Sequence, residues 1–246
     1  MNVLSIGAHP ADVFDQAGGT LANFAADGHG VYIAVVTHGA YSHAQLVAGK
    51  GKTLQLEEVS ALKRKECDAA AQYVGAKEVE YLGFDDEPFI PTRETTHALA
   101  SYIRKVRPQI IIMHHPGEYS HPDHPVVGEM AMRSIKAAER WLEGSQLEPH
   151  SVKSVYFFGT QFRSISATLG WQVLSPDFVV DITRSIDKKK KAIAAFETQS
   201  YAGAKYEEKW VAERIERLEG YWGLMNGLKY AEEFIAFTPQ IVSLLP

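Results

Sequence analysis

The chain has little cysteine and no excess of positive charge. Its 246 residues include one cysteine, Cys67, so no intrachain disulfide can form. Cys67 follows Lys63, Arg64, Lys65 and Glu66 in a helical pattern, and we interpret it as a structural residue. Lys and Arg total 25 against 30 Asp and Glu, a formal net charge of -5. Nucleic-acid-binding proteins usually carry a basic surface, so we expect no nucleic-acid partner.

Long apolar runs and a dinucleotide fingerprint are missing as well. No apolar run is long enough for a membrane span, and the chain does not open on a signal-peptide pattern, so we expect a cytoplasmic location. Gly18 and Gly19 are not part of a G-x-G-x-x-G motif, which a dinucleotide site requires. We interpret these two glycines as positions of close helix packing.

What the chain does contain is an alternation of apolar runs and helical patterns. With 46% hydrophobic and 22% charged residues it can bury a full core, and we expect one domain over residues 1–246. Short runs typical of buried parallel strands occupy residues 3–6, 31–36, 79–82, 110–113 and 155–158. Helical patterns lie between them at residues 18–27, 57–73, 95–106 and 126–138. This order predicts an α/β fold: a Rossmann-like, doubly wound, mostly parallel sheet with helices on both faces.

Two short motifs rich in histidine and aspartate follow predicted strands. His9-Pro10-Ala11-Asp12 comes after the first strand, and His121-Pro122-Asp123-His124 comes after the fourth. Zinc favours imidazole nitrogen and carboxylate oxygen, and a catalytic zinc usually has three protein ligands and one open position. Open α/β sheets place their sites at the carboxyl ends of strands. We therefore predict that His9, Asp12 and His124 bind one zinc ion; the alternative for each histidine is a hydrogen-bonded loop residue.

These motifs carry a family resemblance. Ala8 to Asp12, Ala17 to Ala22 and His121 to His124 resemble the signature of the PIG-L/LmbE-like superfamily of zinc-dependent deacetylases. Further similar segments are residues 64–66, 181–183 and 227–234. The resemblance implies a zinc-dependent enzyme that removes an acetyl group from an N-acetylated small molecule such as an amino sugar. It also implies a homo-oligomer, either a trimer or a hexamer.

Two departures from the family pattern leave alternatives open. Family deacetylases have an Asp as general base where this chain has Ala11, and many have a Glu where it has Ala40. The 4-oxalomesaconate hydratase branch also has Ala at the first position, although it keeps the Glu. The alternatives are therefore a zinc-dependent hydratase that adds water to an unsaturated dicarboxylate, or a catalytically impaired metal-binding member.

The resemblance also suggests which residues move protons and stabilise charge. We predict that His121, oriented by Asp123, acts as general acid, and that this pair takes over the proton transfer lost at Ala11. Tyr119 is expected to donate a hydrogen bond to the tetrahedral oxyanion, as its family position implies.

Two residues are candidates for substrate contacts. Arg64 lies on the helix that the family places at the pocket mouth, where an arginine can bind a carboxylate or hydroxyl group; a surface salt bridge is the alternative. His38 follows the second strand and can lend an imidazole to the pocket, unless it belongs to a polar surface loop. The four lysines at 188–191 are interpreted as a solvated helix face.

Overall fold

The fold is built around a seven-stranded sheet. A computed structural model describes residues 1–41, 55–118, 120–140, 142, 144–159, 176–198, 200–201, 204–205 and 208–237. The strands are β1 (Asn2–Gly7), β2 (Gly30–Thr37), β3 (Glu78–Phe84), β4 (Ile110–Met113), β5 (Ser154–Phe158), β6 (Phe178–Asp181), β7 (Ser200–Tyr201), β8 (Ala204–Lys205) and β9 (Ala231–Ala236). The helices are α1 (Asp12–Ala26), α2 (Leu56–Val74), α3 (Arg93–Val106), α4 (Asp123–Ala138), α5 (Ile186–Ala194) and α6 (Glu208–Met225).

The strand order confirms the predicted α/β architecture. It runs β3-β2-β1-β4-β5-β9-β6, with the first five strands parallel and β9 antiparallel to both of its neighbours. The pattern analysis missed β6 and β9. Glu232 and Glu233 stand in the middle of β9, where charged residues argue against a buried strand, yet they are only 3% and 4% exposed.

Helices cover both faces of the sheet, as predicted. Side chains alternate along β1, so Leu4 packs into the cluster under α3 and α4, whereas Val3 packs into the cluster under α1, α2 and α5. Cys67 lies fully buried in the second cluster, which confirms its structural interpretation. In the described ranges, no helix is both long enough and apolar enough to cross a bilayer.

Helix α1 begins earlier than the sequence pattern predicts. The pattern places its start near Gly18, but the helix starts at Asp12 and is kinked at Ala17, whose φ of -139° and ψ of 15° are not helical. Asp12 and Asp15 occupy the first turn, where acidic side chains interact favourably with the helix dipole. Asp12 therefore projects from a helix terminus and not from a loop.

The kink leaves backbone N–H groups of α1 without a partner in the helix, and a buried carboxylate accepts their hydrogen bonds. The N–H groups of Gly19 and Thr20 donate to the carboxylate of Glu232 at 2.9 and 2.7 Å. Glu232 thus caps the second segment of α1 from strand β9, which explains how a glutamate is accommodated inside the sheet.

Lys189 corrects the interpretation of the lysine run as a solvated face. Its side chain is fully buried, and its Nζ lies 2.7 Å from a carboxylate oxygen of Glu219 and 2.7 Å from one of Glu232. The reason is helix periodicity: Lys189 shares the inner face of α5 with the buried Ile186 and Ile193.

Close packing at Gly19 gives a testable expectation. A Cβ at this position would lie 2.7 Å from the Cβ of Ile182, which supports the interpretation of these glycines as packing residues. We expect Gly19→Ala to lower the free energy of unfolding by about 1–3 kcal/mol, measured by urea denaturation. Gly220→Ala in α6 is the matched control, because a Cβ there meets no described atom within 4 Å. It should raise stability by roughly 0.5–1 kcal/mol, and equal effects of the two changes would contradict the packing argument.

Candidate metal centre

The two histidine-aspartate motifs meet at one edge of the sheet. His9 follows β1, and His124 lies in the first turn of α4, the helix that follows β4 in the chain. Because β1 and β4 are parallel neighbours, their carboxyl ends lie side by side. The fold therefore brings together residues that are more than a hundred positions apart in the sequence, as the strand prediction requires.

Both predicted histidine ligands lie near the carboxylate of Asp12, the third predicted ligand. Nδ1 of His9 is 3.4 Å from Oδ2 of Asp12, and Nε2 of His124 is 3.6 Å from the same oxygen. A tetrahedral zinc with bonds of about 2.0–2.1 Å separates its ligand atoms by roughly 3.4 Å. Both histidines are buried. Two imidazoles and a carboxylate at this spacing are a suitable donor set for zinc.

Each of these histidines presents its second ring nitrogen to a carboxylate. Nε2 of His9 is 3.2 Å from Oδ2 of Asp123, and Nδ1 of His124 is 2.6 Å from Oε2 of Glu118. Metal-binding histidines commonly have such a partner, which fixes the ring and raises its basicity. Sequence reasoning missed Glu118, because a lone glutamate in a loop carries no pattern that distinguishes it.

A third buried histidine, also missed, contacts the predicted aspartate ligand. Nε2 of His114 lies 3.0 Å from Oδ2 of Asp12, and its ring stacks on that of His124 with centroids 4.0 Å apart. Its position in the sequence could have identified it as a site residue, because His114 directly follows β4 just as Ala8 and His9 follow β1.

Three compact groups of donor atoms exist in this region among the described residues, each with its atoms within 4.8 Å of one another. They are His9 with His121 and His124; Asp12 with His114 and His124; and His9 with Asp86 and Asp123. The predicted trio does not form one of these groups. His114 and His121 therefore compete with the predicted ligands as donors.

The electrostatics of the site favour a bound cation. Burial opposes a charge on His124, yet the carboxylates of Asp12 and Glu118 raise the pKa of its imidazole to about 10. Burial would raise the pKa of Glu118, but hydrogen bonds from His114 and His124 hold that pKa well below its usual range. The same competition, with a hydrogen bond from His9, depresses the pKa of Asp123. These buried carboxylates stay ionised and stabilise positive charge between them.

The Asp123 carboxylate has partners other than His121, so its predicted role in orienting His121 stays a prediction. Its oxygens accept hydrogen bonds from His9 and from the backbone N–H groups of Glu87 and Phe89, the latter two at 3.1 and 2.8 Å. Its nearest oxygen is 4.0 Å from Nδ1 of His121, too far for a hydrogen bond. Nδ1 of His121 instead accepts the backbone N–H of Asp123 at 3.2 Å. Asp123 therefore orients His9 through its side chain.

The cation that α2 buries is Lys63, one residue before the predicted Arg64. Arg64 is exposed, and its guanidinium lies 4.3 Å over the ring of Tyr81. Lys63 is 1% exposed. Burial lowers the pKa of its ammonium to about 8, against the opposing effects of Glu66, Asp86 and Asp12. Helix α2 therefore faces the carboxylates of the site with Lys63 and not with Arg64.

Three further positions were named from the sequence. His38 is half-buried at the end of β2, with Nδ1 2.9 Å from Oγ of Ser60. Ala11 is 5% exposed and packs in the core cluster under α1. Tyr119 lies outside the described residues, so its contact with an oxyanion stays a prediction.

Comparison with known proteins finds relatives with two chemistries. Diacetylchitobiose deacetylase of Thermococcus kodakarensis is 28% identical over 248 residues, covering 97% of this chain and 84% of that protein. The 4-oxalmesaconate hydratase of Pseudomonas putida is 28% identical over 202 residues, covering 81% and 74%. The crystal structure of GalB, the 4-carboxy-2-hydroxymuconate hydratase of Pseudomonas putida, has a TM-score of 0.83 at 24% identity and covers 100% of this chain and 99% of its own.

The part of the chain that matches a known family contains both histidine-aspartate motifs. Residues 4–135 match PIG-L, the GlcNAc-PI de-N-acetylase family. That stretch is more than half of the chain and runs from β1 into α4. The protein is therefore a member of the PIG-L family.

Proposed function

We propose that this protein is a zinc-dependent hydrolase that removes the acetyl group from an N-acetylated small molecule such as an amino sugar. The observation that carries the proposal is the paired arrangement of His9 and His124. Each turns one ring nitrogen towards Asp12 and the other onto a buried carboxylate. In a family of de-N-acetylases, and beside a relative named as a diacetylchitobiose deacetylase, such a site suits amide hydrolysis.

His9, Asp12 and His124 would hold the ion, and His114 would orient Asp12 through its 3.0 Å contact. When bound, a zinc ion polarises the amide carbonyl and lowers the pKa of water to about 7. We prefer this trio because each of its two histidines has one ring nitrogen near Asp12 and the other within 3.2 Å of a buried carboxylate. The second ring nitrogen of His114 is 3.6 Å from Glu118, and the carboxylate partner of His121 is the exposed Glu87.

His121 is the proposed proton carrier. Its ring centroid lies 4.5 Å from that of His9 and 5.1 Å from that of His124, so it borders the same small volume. It takes a proton from the attacking water and gives it to the departing amine nitrogen as the C–N bond breaks. Acetate and a free amine are the products. Tyr119 would donate a hydrogen bond to the oxyanion, and His38 and Lys63 would border the substrate.

A hydratase is the second candidate. The observation in its favour is Ala11, which leaves the chain without the Asp that serves the family as general base. The charge of the site argues against it. Among the described residues around the donor groups, Asp12, Asp86, Glu118 and Asp123 are buried or nearly buried, and Lys63 is a buried lysine that faces Asp86 and Asp12. An unsaturated dicarboxylate adds negative charge to this set, whereas an N-acetyl sugar does not.

The experiment that separates these functions is proton NMR of the zinc-loaded protein. It is incubated with N-acetylated amino sugars and unsaturated dicarboxylates, with His124→Ala as control. A growing acetate singlet that His124→Ala abolishes supports the deacetylase. Loss of vinyl signals without acetate would establish the hydratase instead, and no change in either would favour a metal-binding protein that lacks both reactions.

Ala11 itself can be tested by restoring the family's carboxylate. We expect Ala11→Asp to accelerate acetate release on the order of 10²-fold, because a positioned general base contributes at least that much. Ala11→Asn has nearly the same size without a basic group and serves as the control. Equal rates for the two variants, with thermal unfolding unchanged, would show that a missing base does not limit deacetylation.

We further propose that the active form is a homo-oligomer, a trimer or hexamer, of a single domain spanning residues 1–246 and that it works in the cytoplasm. Cys67 is fully buried, so it is not positioned to form a disulfide with another chain, and the proposed oligomer would be held by noncovalent contacts.

A further inference from the structure

Glu87 links the His9–Asp123 pair to His121. It lies in the turn after β3, and its Oε1 is 3.1 Å from Nε2 of His121. Its backbone N–H donates to Oδ2 of Asp123, the carboxylate that orients His9. The turn is therefore attached to the metal-binding side through its main chain and to the proposed proton carrier through its side chain.

The backbone at Glu87 is unusual for a glutamate. Its φ of 48° lies in the left-handed region, where glycine is favoured because it has no Cβ. Such conformations persist where the surrounding structure holds them and are concentrated at functional sites. Here the backbone N–H of Glu87 donates to Asp123, and its carboxylate pairs with His121.

The two hydrogen bonds of His121 define its tautomer. Nδ1 faces a backbone N–H, that of Asp123, and so accepts with its lone pair. The ring proton of the neutral imidazole must then be on Nε2, which donates it to Glu87. The nitrogen that carries a lone pair is Nδ1, on the side of the Asp123 carboxylate, and it can take a proton once the Asp123 N–H is displaced from it.

We propose that Glu87 is the positioning residue of His121. It holds the ring and the Nε2–H tautomer and stabilises the imidazolium that forms when Nδ1 takes the proton of the attacking water. For this transfer the attacking water first takes the place of the Asp123 N–H at Nδ1. The proton passes from Nδ1 to the leaving amine nitrogen as the C–N bond breaks. The other ring proton stays on Nε2, in its hydrogen bond to Glu87. This inference rests on the proposed function and assigns to Glu87 the role that the sequence suggested for Asp123.

Kinetics of paired carboxylate variants test this role. We expect Glu87→Ala to lower kcat by roughly 10–100-fold, with KM within about twofold and with bound zinc per chain unchanged. Glu87→Gln keeps an oxygen that accepts the Nε2–H but loses the charge, so its kcat should lie between those of Glu87→Ala and the wild type. Asp85→Asn removes a charge from the same turn at an exposed position and should leave kcat unchanged.

Glu118→Gln provides the contrasting case. Glu118 orients a proposed metal ligand, so this variant should lose zinc affinity before it loses kcat at saturating zinc. A Glu87→Ala protein that loses zinc in the same way, or that keeps kcat within twofold of the wild type, would overturn the proposal.

Nitrogen NMR of histidine-labelled protein tests Glu87 without requiring turnover. We expect His121 to carry its proton on Nε2 in the wild type and in Glu87→Gln, and to become a mixture of tautomers in Glu87→Ala. An unchanged tautomer in Glu87→Ala, or an Nδ1 proton in the wild type, would refute the positioning role. If the wild type releases no acetate, the proposed function fails, and the tautomer still decides the role of Glu87.

Discussion

Asp12→Asn is expected to abolish zinc binding and to lower acetate release by roughly 10³-fold or more, since the metal supplies several kcal/mol of transition-state stabilisation. Asparagine replaces the anionic ligand with a neutral one, so the affinity for the ion falls. It still offers an oxygen to the backbone N–H of His9, which Oδ2 of Asp12 accepts at 2.7 Å, so the turn should keep its shape.

The measurement is zinc content per chain together with the rate of acetate release. Asp27→Asn is the matched control, because Asp27 follows the same helix and forms an exposed pair with Arg184. Such surface pairs contribute little to stability. If Asp12→Asn keeps a full complement of zinc, Asp12 is not a ligand.

The competing donor groups can be separated in the same assay. His121→Ala should keep its zinc and lose turnover if His121 carries protons. Loss of zinc from this variant would instead identify the ligands as His9, His121 and His124, which also form a compact group. His114→Ala should weaken zinc binding only indirectly, through the orientation of Asp12.

The location of the site could be predicted because it depends on local pattern. Apolar runs predicted β1 and β4, and motifs in the segments after two neighbouring parallel strands are expected at the same end of the sheet. His9, Asp12 and His124 follow from that argument and from ligand chemistry. The residues that contact these three side chains could not be predicted in this way. The contact between His9 and Asp123 joins residues 114 positions apart and depends on the backbone of Glu87 and Phe89, whose path no periodicity encodes.

Charge patterns were the least reliable part of the sequence interpretation. A run of lysines predicts a solvated face because most lysines are exposed, and Lys188 and Lys191 are. Lys189 differs because the helix turns it towards Glu219 and Glu232, which belong to α6 and β9. Neither partner can be identified without knowing that those elements pack against α5.

Lys189→Met is therefore expected to cost about 3–5 kcal/mol of unfolding free energy, because it leaves two carboxylates buried without their cation. Burial disfavours the charge of Lys189, but Glu219 and Glu232 raise its pKa above the usual value. A raised lysine pKa means that the stabilisation is complete below about pH 10 and is lost only as pH rises through the folded value. Lys189 should thus stay protonated between pH 5 and pH 8, and its own contribution to stability should not change in that range.

The pH dependence of the variant identifies the cause of the loss. Burial already raises the pKa of Glu219 in the wild type, even though Lys189 opposes the shift, so removing Lys189 should raise it further. The folded variant then binds a proton that the unfolded chain releases, and its stability must fall as pH rises. We expect the deficit in urea unfolding relative to wild type to be smaller at pH 5 than at pH 8, and Lys189→Met/Glu219→Gln to recover part of it at pH 8. Lys188→Met, an exposed neighbour, is the control. A deficit that is independent of pH would mean that lost packing, and not unpaired charge, destabilises the protein.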